Sequence, residues 1–211
     1  MDKMDVQIMV VKNSNLFENY KRETRFYSWN EFDIEEIVLE NFEYMRRWDA
    51  EVNFDYKQPI TYSVIVNKND EIFVYKRWWK LSTNWEDKLC DKIAIWIWWH
   101  IDKEEYIENP IKEWLLREVE EEIWLKWKDI NLVEAIWFIN NEENELNQVH
   151  IWAAYIIKIN DENNIELLDW ELEKWNFVTV LKYEEMINSW KYDIEPWSKI
   201  LLEPIKKYLN K

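Results

Sequence analysis

The stretch Asn109-Pro110-Ile111-Lys112-Glu113-Trp114-Leu115-Leu116-Arg117-Glu118-Val119-Glu120-Glu121-Glu122-Ile123-Trp124-Leu125 decides how the chain is read. Asn109 can cap a helix with its side-chain oxygen, and Pro110 sits at the first helical position, where a missing N–H costs nothing. At about 100° per residue, Leu115, Leu116, Val119 and Ile123 form one apolar face. Glu118, Glu121 and Glu122 stand at i, i+3 and i+4 and cluster on a neighbouring face. Like charges at that spacing repel by a few tenths of a kcal/mol per pair, and the last turns of a helix disfavour negative charge. A bound hard cation would reverse both penalties, because Mg2+ and Mn2+ prefer carboxylate oxygens and bridge substrate phosphates. Without a cation the same spacing is an ordinary solvated face. Arg117 immediately precedes the first Glu and can pair with a carboxylate and orient it. Trp124 follows the last turn, where glycine is the usual stop.

That tryptophan belongs to a wider anomaly. The chain has 211 residues, no glycine and 17 tryptophans. Ordinary usage near 7% would give roughly 15 glycines. Many of the tryptophans stand where glycine is expected, as in Ile95-Trp96-Ile97-Trp98-Trp99-His100, Ile123-Trp124-Leu125 and Asp169-Trp170-Glu171. We read most of them as glycine positions of a parent sequence, altered by design or by error; Trp29, Trp48 and Trp197 are the least secure conversions. A bulky residue at a φ > 0 position costs about 1–2 kcal/mol, and overpacking a core typically 1–3 kcal/mol more. A dozen such changes would exceed a stability of about 5–15 kcal/mol, so the Trp-bearing chain is expected to lose the parent fold and its function.

Composition excludes several classes. A net charge of −16 makes a nucleic-acid duplex an unfavourable partner. The single cysteine, Cys90, cannot form an internal disulfide, which is compatible with a reducing cytosol. Neither a secretion signal nor an apolar run of about 18 residues is present, so no membrane span is expected and a cytoplasmic location follows.

Along the chain, Val6–Val11 reads as a strand and 31–47 has helical spacing at Ile34, Ile37, Val38 and Phe42. Thr61–Val66 and Glu71–Lys76 read as strands, joined by a hairpin turn at Asn67-Lys68-Asn69-Asp70. Lys80–Lys92 is a polar loop, and Ile93–Trp98 a third strand. Asn109–Ile123 is a helix. Ile130–Ile139 and Val149–Ile159 are strands separated by the acidic loop Asn140–Asn147. Phe177–Leu181 is a short strand, and Tyr183–Ser189 and Pro196–Leu209 are helices. This is a layered α+β arrangement, with residues 1–57 as an N-terminal strand–helix extension and 58–211 as the main domain.

Arg117-Glu118-Val119-Glu120-Glu121-Glu122-Ile123-Trp124-Leu125 resembles the second half of the Nudix box, Arg-Glu-U-x-Glu-Glu-x-Gly-U with U aliphatic; only the glycine differs. Upstream the box has Gly, five residues, then Glu, which Trp99 and Glu105 match if Trp99 replaces glycine. The box then has seven residues before the Arg. Residues 106–116 give eleven here, so Glu104 and Glu108 are also candidates for that Glu. The resemblance implies a mixed β-sheet sandwiched between helices (α/β/α), and a hydrolase acting on a diphosphate linked to another moiety, commonly a nucleoside. It implies that Glu118, Glu121 and Glu122 bind Mg2+ or Mn2+, that Arg117 holds an upstream Glu, most simply Glu105, and that Arg117, Glu121 and Glu105 form the catalytic set. The general base is not assigned. The partner is a small diphosphate-bearing molecule, and a homodimer is compatible with the chain. The alternative is a non-catalytic Nudix-like ligand-binding domain. An isoprenyl diphosphate isomerase would need a reactive cysteine in the site, whereas Cys90 lies on the preceding loop. His100 either approaches phosphate or makes a structural hydrogen bond. His150 opens an apolar strand and reads as structural.

Overall fold

The computed structural model describes residues 3–28, 34–77, 91–103, 109–162, 165 and 172–210. In chain order the elements are β1 (Gln7–Lys12), α1 (Asn13–Leu16), β2 (Arg25–Ser28), α2 (Ile34–Asn41), β3 (Phe42–Arg46), α3 (Arg47–Ala50), β4 (Tyr56–Val66) and β5 (Ile72–Arg77). Then come β6 (Ile93–Ala94), β7 (Ile97–His100), α4 (Pro110–Ile123), β8 (Ile130–Asn140), α5 (Glu145–Gln148) and β9 (His150–Ile159). β10 (Leu172–Val178), α6 (Val180–Ile187), α7 (Pro196–Ile200) and α8 (Leu202–Leu209) close the chain. The α+β class expected from the sequence is what the structure has.

Two compact units share these elements. The first comprises Met1–Tyr62, Trp98–Arg117 and Ala135–Tyr155; the second, Ser63–Ile97, Glu118–Glu134 and Ile156–Lys211. In the first unit β1 lies antiparallel to β3, with Met9 opposite Tyr44, and to the start of β4, with Val11 opposite Lys57. Ile8, Val10 and Ala50 are buried there against Val6, Met45 and Tyr56. β2 pairs antiparallel with β8, Tyr27 opposite Phe138. β4 runs unbroken through residues 57 and 58, so one strand spans the boundary expected there. In the second unit the order β10-β5-β4 is antiparallel, with Phe73 opposite Phe177 and Val66 opposite Ile72. Phe73, Trp175 and Phe177 pack their rings at centroid separations of 5.6–6.1 Å, two pairs tilted and the Trp175–Phe177 pair edge-on, none in the face-to-face sandwich that aromatic quadrupoles disfavour.

Several expected boundaries shift. The helical spacing in 31–47 is realised only to Asn41; Phe42–Arg46 becomes β3, because ladder pairing with β1 overrides the local period. The expected strand Ile93–Trp98 is broken at Ile95-Trp96 into β6 and β7. β10 begins before Phe177, and α6 starts already at Val180, where Thr179 accepts from the Lys182 N–H as its N-cap. The last helix divides at Leu201. The hairpin turn at 67–70 forms as expected. Asn67 Oδ1 accepts from the backbone N–H groups of Asn69 and Glu71, and Asp70 takes φ 57° in place of a glycine.

The tryptophans are accommodated differently from expectation. Trp96, Trp114 and Trp152 are buried at 1%, 6% and 3% exposure. Among the described tryptophans, Trp124 alone has positive φ. The left-handed backbone penalty therefore applies at that position, and the fold is present with indoles at the others.

The acidic loop also does more than separate two strands. Glu142 accepts from Lys57 Nζ at 2.8 Å, Arg22 Nε at 3.0 Å and Asn140 Nδ2 at 2.9 Å. Lys57 is fully buried. Burial lowers its ammonium to about 8, with the bonds to Glu142 opposing. Folding thus favours the neutral amine. Between about pH 8 and 10.5 the unfolded chain holds a proton that the folded chain has released, so stability rises with pH there, by up to about 1.4 kcal/mol per unit. Denaturant melts of the wild type should show this rise, and Lys57→Met should abolish it; an equal slope in both would refute the assignment.

Candidate functional site

The helix α4 is set at its start by two contacts. Asn109 Oδ1 accepts from the Lys112 backbone N–H at 3.0 Å, the expected cap, and Asn109 Nδ2 donates to Glu35 Oε1 at 2.8 Å. Tyr155 donates to the other oxygen of buried Glu35 at 2.9 Å. The apolar face is as read: Leu115, Leu116, Val119 and Ile123 are at most 3% exposed. At the other end Trp124 takes φ 55°, and its N–H bonds the Glu120 carbonyl at 3.0 Å. That single bond to a left-handed residue is the αL stop that glycine normally supplies.

Glu118 and Glu122 are buried at 8% and 6%, while Glu121 is exposed. Two carboxylates one turn apart, both shielded from water near a helix C-terminus, are costly unless positive charge compensates them. Their all-oxygen donor chemistry fits a hard divalent cation. Arg117 lies with Cζ 3.5 Å from the centre of the Trp114 ring, a cation–π contact not anticipated from the sequence. Its positive charge, after that of Arg47, also lowers the half-buried Asp102 carboxyl, which burial on balance raises. Glu104, Glu105, Glu108 and Cys90 lie outside the described residues.

Within the first unit, two residues left apart by the sequence meet: His100 Nε2 lies 3.3 Å from His150 Nε2. Both are buried. Burial, then the charge of Arg47 and the His150 ring, holds His100 well below the ordinary imidazole range; burial also lowers His150, against Glu51 and the Leu146 carbonyl. Glu51 joins them, and no spacing in the sequence marks it.

No family model matches the chain. Protein YmaB of Bacillus subtilis (strain 168) is 27% identical over 211 residues, covering 96% of this chain and 98% of that protein. The crystal structure of Tm1382, described as a candidate Nudix hydrolase, matches 97% of this chain and 98% of its own, with 25% identity and a TM-score of 0.69. The Nudix domain of Shewanella oneidensis NrtR, solved with ADP ribose, covers 72% of this chain and 88% of its own at 10% identity and a TM-score of 0.52, a likeness of fold. The chain has the Nudix fold. The Arg117–Leu125 box runs along α4 into the turn that follows it, and fold and box together are similar to those of Nudix hydrolases.

The left-handed stop is directly testable. Trp124→Gly should relieve about 1–2 kcal/mol of backbone cost and lose about 0.5 kcal/mol from the contact with Lys126, whose Nζ is 4.3 Å from the indole centre. A net gain of about 1 kcal/mol in denaturant melts is expected. Trp124→Ala, which keeps Cβ, should give no gain.

Proposed function

We propose that the chain hydrolyses a diphosphate linked to a second moiety, with a nucleoside diphosphate as the favoured half, in a reaction that depends on Mg2+ or Mn2+. The observation carrying this reading is the box helix itself. It presents Glu118, Glu121 and Glu122 on its last turns, two of them buried, and ends in a left-handed residue at the box glycine position. Those three carboxylates would hold the cation, which when bound neutralises diphosphate charge and lowers the pKa of a water. Arg117 would orient the upstream Glu, with Glu105 the first choice. NrtR's bound ADP ribose is itself a diphosphate flanked by two moieties, and it supports that substrate class through a likeness of fold. The same ligand equally suits a Nudix-like domain that only binds. We read the chain as cytoplasmic, acting on a small molecule, with a homodimer compatible.

Exposed Glu121 contributes little to packing, so Glu121→Gln should leave the fold intact. Metal charge stabilisation is worth several kcal/mol, and each 1.4 kcal/mol is tenfold in rate. Turnover of a nucleoside diphosphate-linked panel should therefore fall by roughly a hundredfold or more, and chelation should stop it altogether. A folded chain, or its glycine-restored version, that binds Mn2+ yet releases no phosphate-bearing product would favour the binding domain.

A further inference from the structure

The chain holds two histidines in all, on segments 50 residues apart, and both point into one buried place. His100 ends β7, His150 opens β9, and Glu51 comes directly after α3. One ligand atom from each lies within 4.8 Å of the other two. Glu51 Oε1 is 3.8 Å from His100 Nε2. The two Nε2 atoms are 3.3 Å apart. Two nitrogens each about 2.0–2.1 Å from a tetrahedral Zn2+ lie roughly 3.3–3.4 Å from one another, so the imidazoles already stand at ligand spacing.

The surroundings fix the ligating tautomer of His150. His150 Nδ1 is 2.6 Å from the Leu146 carbonyl oxygen, so Nδ1–H donates there and the Nε2 lone pair faces the cluster. A carbonyl behind a ligating imidazole is the usual outer partner of a zinc histidine. Both rings are held neutral by burial, the form that ligates. Trp98 and Trp152 flank them at centroid separations of 5.9 and 6.0 Å. Arg47 donates Nε–H to Glu51 Oε1 at 3.3 Å, which orients the carboxylate but places positive charge beside the site.

We propose that Glu51, His100 and His150 form a binding site for a zinc-class transition metal, separate in ligand chemistry from the box carboxylates. Two imidazoles and one carboxylate select Zn2+ or Co2+ over Mg2+, which wants oxygen donors. Three protein ligands leave a fourth tetrahedral position for a water or an anionic group. Arg47 makes an anionic fourth ligand the electrostatic complement.

The test uses the tag-free full chain, stripped with a chelator and dialysed against Zn2+, with metal measured by mass spectrometry. Co2+ serves as a spectroscopic probe. About one equivalent should be retained against excess Mg2+, with the intense visible bands of tetrahedral Co2+. His150→Gln and Glu51→Gln should each weaken binding by at least about a hundredfold, since even outer partners cost 10–100-fold. Circular dichroism checks that each variant is folded. Glu121→Gln should bind Zn2+ and Co2+ as the wild type does, which separates this site from the box. No retained zinc in the folded wild type, or unchanged binding in both His100→Gln and His150→Gln, overturns the proposal and leaves a His–His hydrogen bond.

Discussion

The stop of the box helix depends on a residue at φ 55° that carries an indole. A helix that ran on past Ile123 would carry the chain away from the course it takes into β8. In a chain without glycine, each left-handed position must be filled by a residue with a Cβ. The described ones are Asp70, Asp91 and Trp124. Aspartate tolerates this conformation through local hydrogen bonding; tryptophan has no such compensation. The Trp124 N–H to Glu120 carbonyl bond and the buried Leu125 beyond it hold the turn in place.

The other end of the helix is held by polar groups. Asn109 serves two masters, capping α4 with its oxygen and giving its amide to Glu35, which Tyr155 also engages. A buried carboxylate with two donors restricts the helix start more tightly than apolar contact does, because each unmade bond would cost about 1–3 kcal/mol. Glu142 plays a comparable part for β4, gathering Lys57, Arg22 and Asn140.

The sequence was most legible where one local rule acted alone. Asn109-Pro110 marked the start of α4, the apolar spacing marked its buried face, and Trp124 in a glycine position marked its end. The hairpin at 67–70 was equally plain. Reading failed where a distant partner decided the outcome. Phe42–Arg46 has helical spacing but pairs with β1. The His100–His150 contact and the place of Glu51 beside it arise from three segments whose own sequences say nothing of one another. Glu142 sat in what read simply as an acidic loop between two strands, and its function as an ion-pair hub came from a lysine 85 residues away. The tryptophans misled in one respect: composition marked most of them as glycine positions, whereas among those described positive φ occurs at Trp124 alone.

The distribution of those indoles gives the molecule an unusual optical character. Trp96, Trp114 and Trp152 are shielded from water, whereas Trp190 is wholly exposed and Trp48 and Trp127 are more than half exposed. Fluorescence emission is therefore a composite of blue-shifted and solvent-relaxed populations. Because Trp96 belongs to one compact unit and Trp114 and Trp152 to the other, the blue component carries light from both. Aqueous quenchers will remove the red component first and leave the shielded indoles as an intrinsic reporter of each unit's interior.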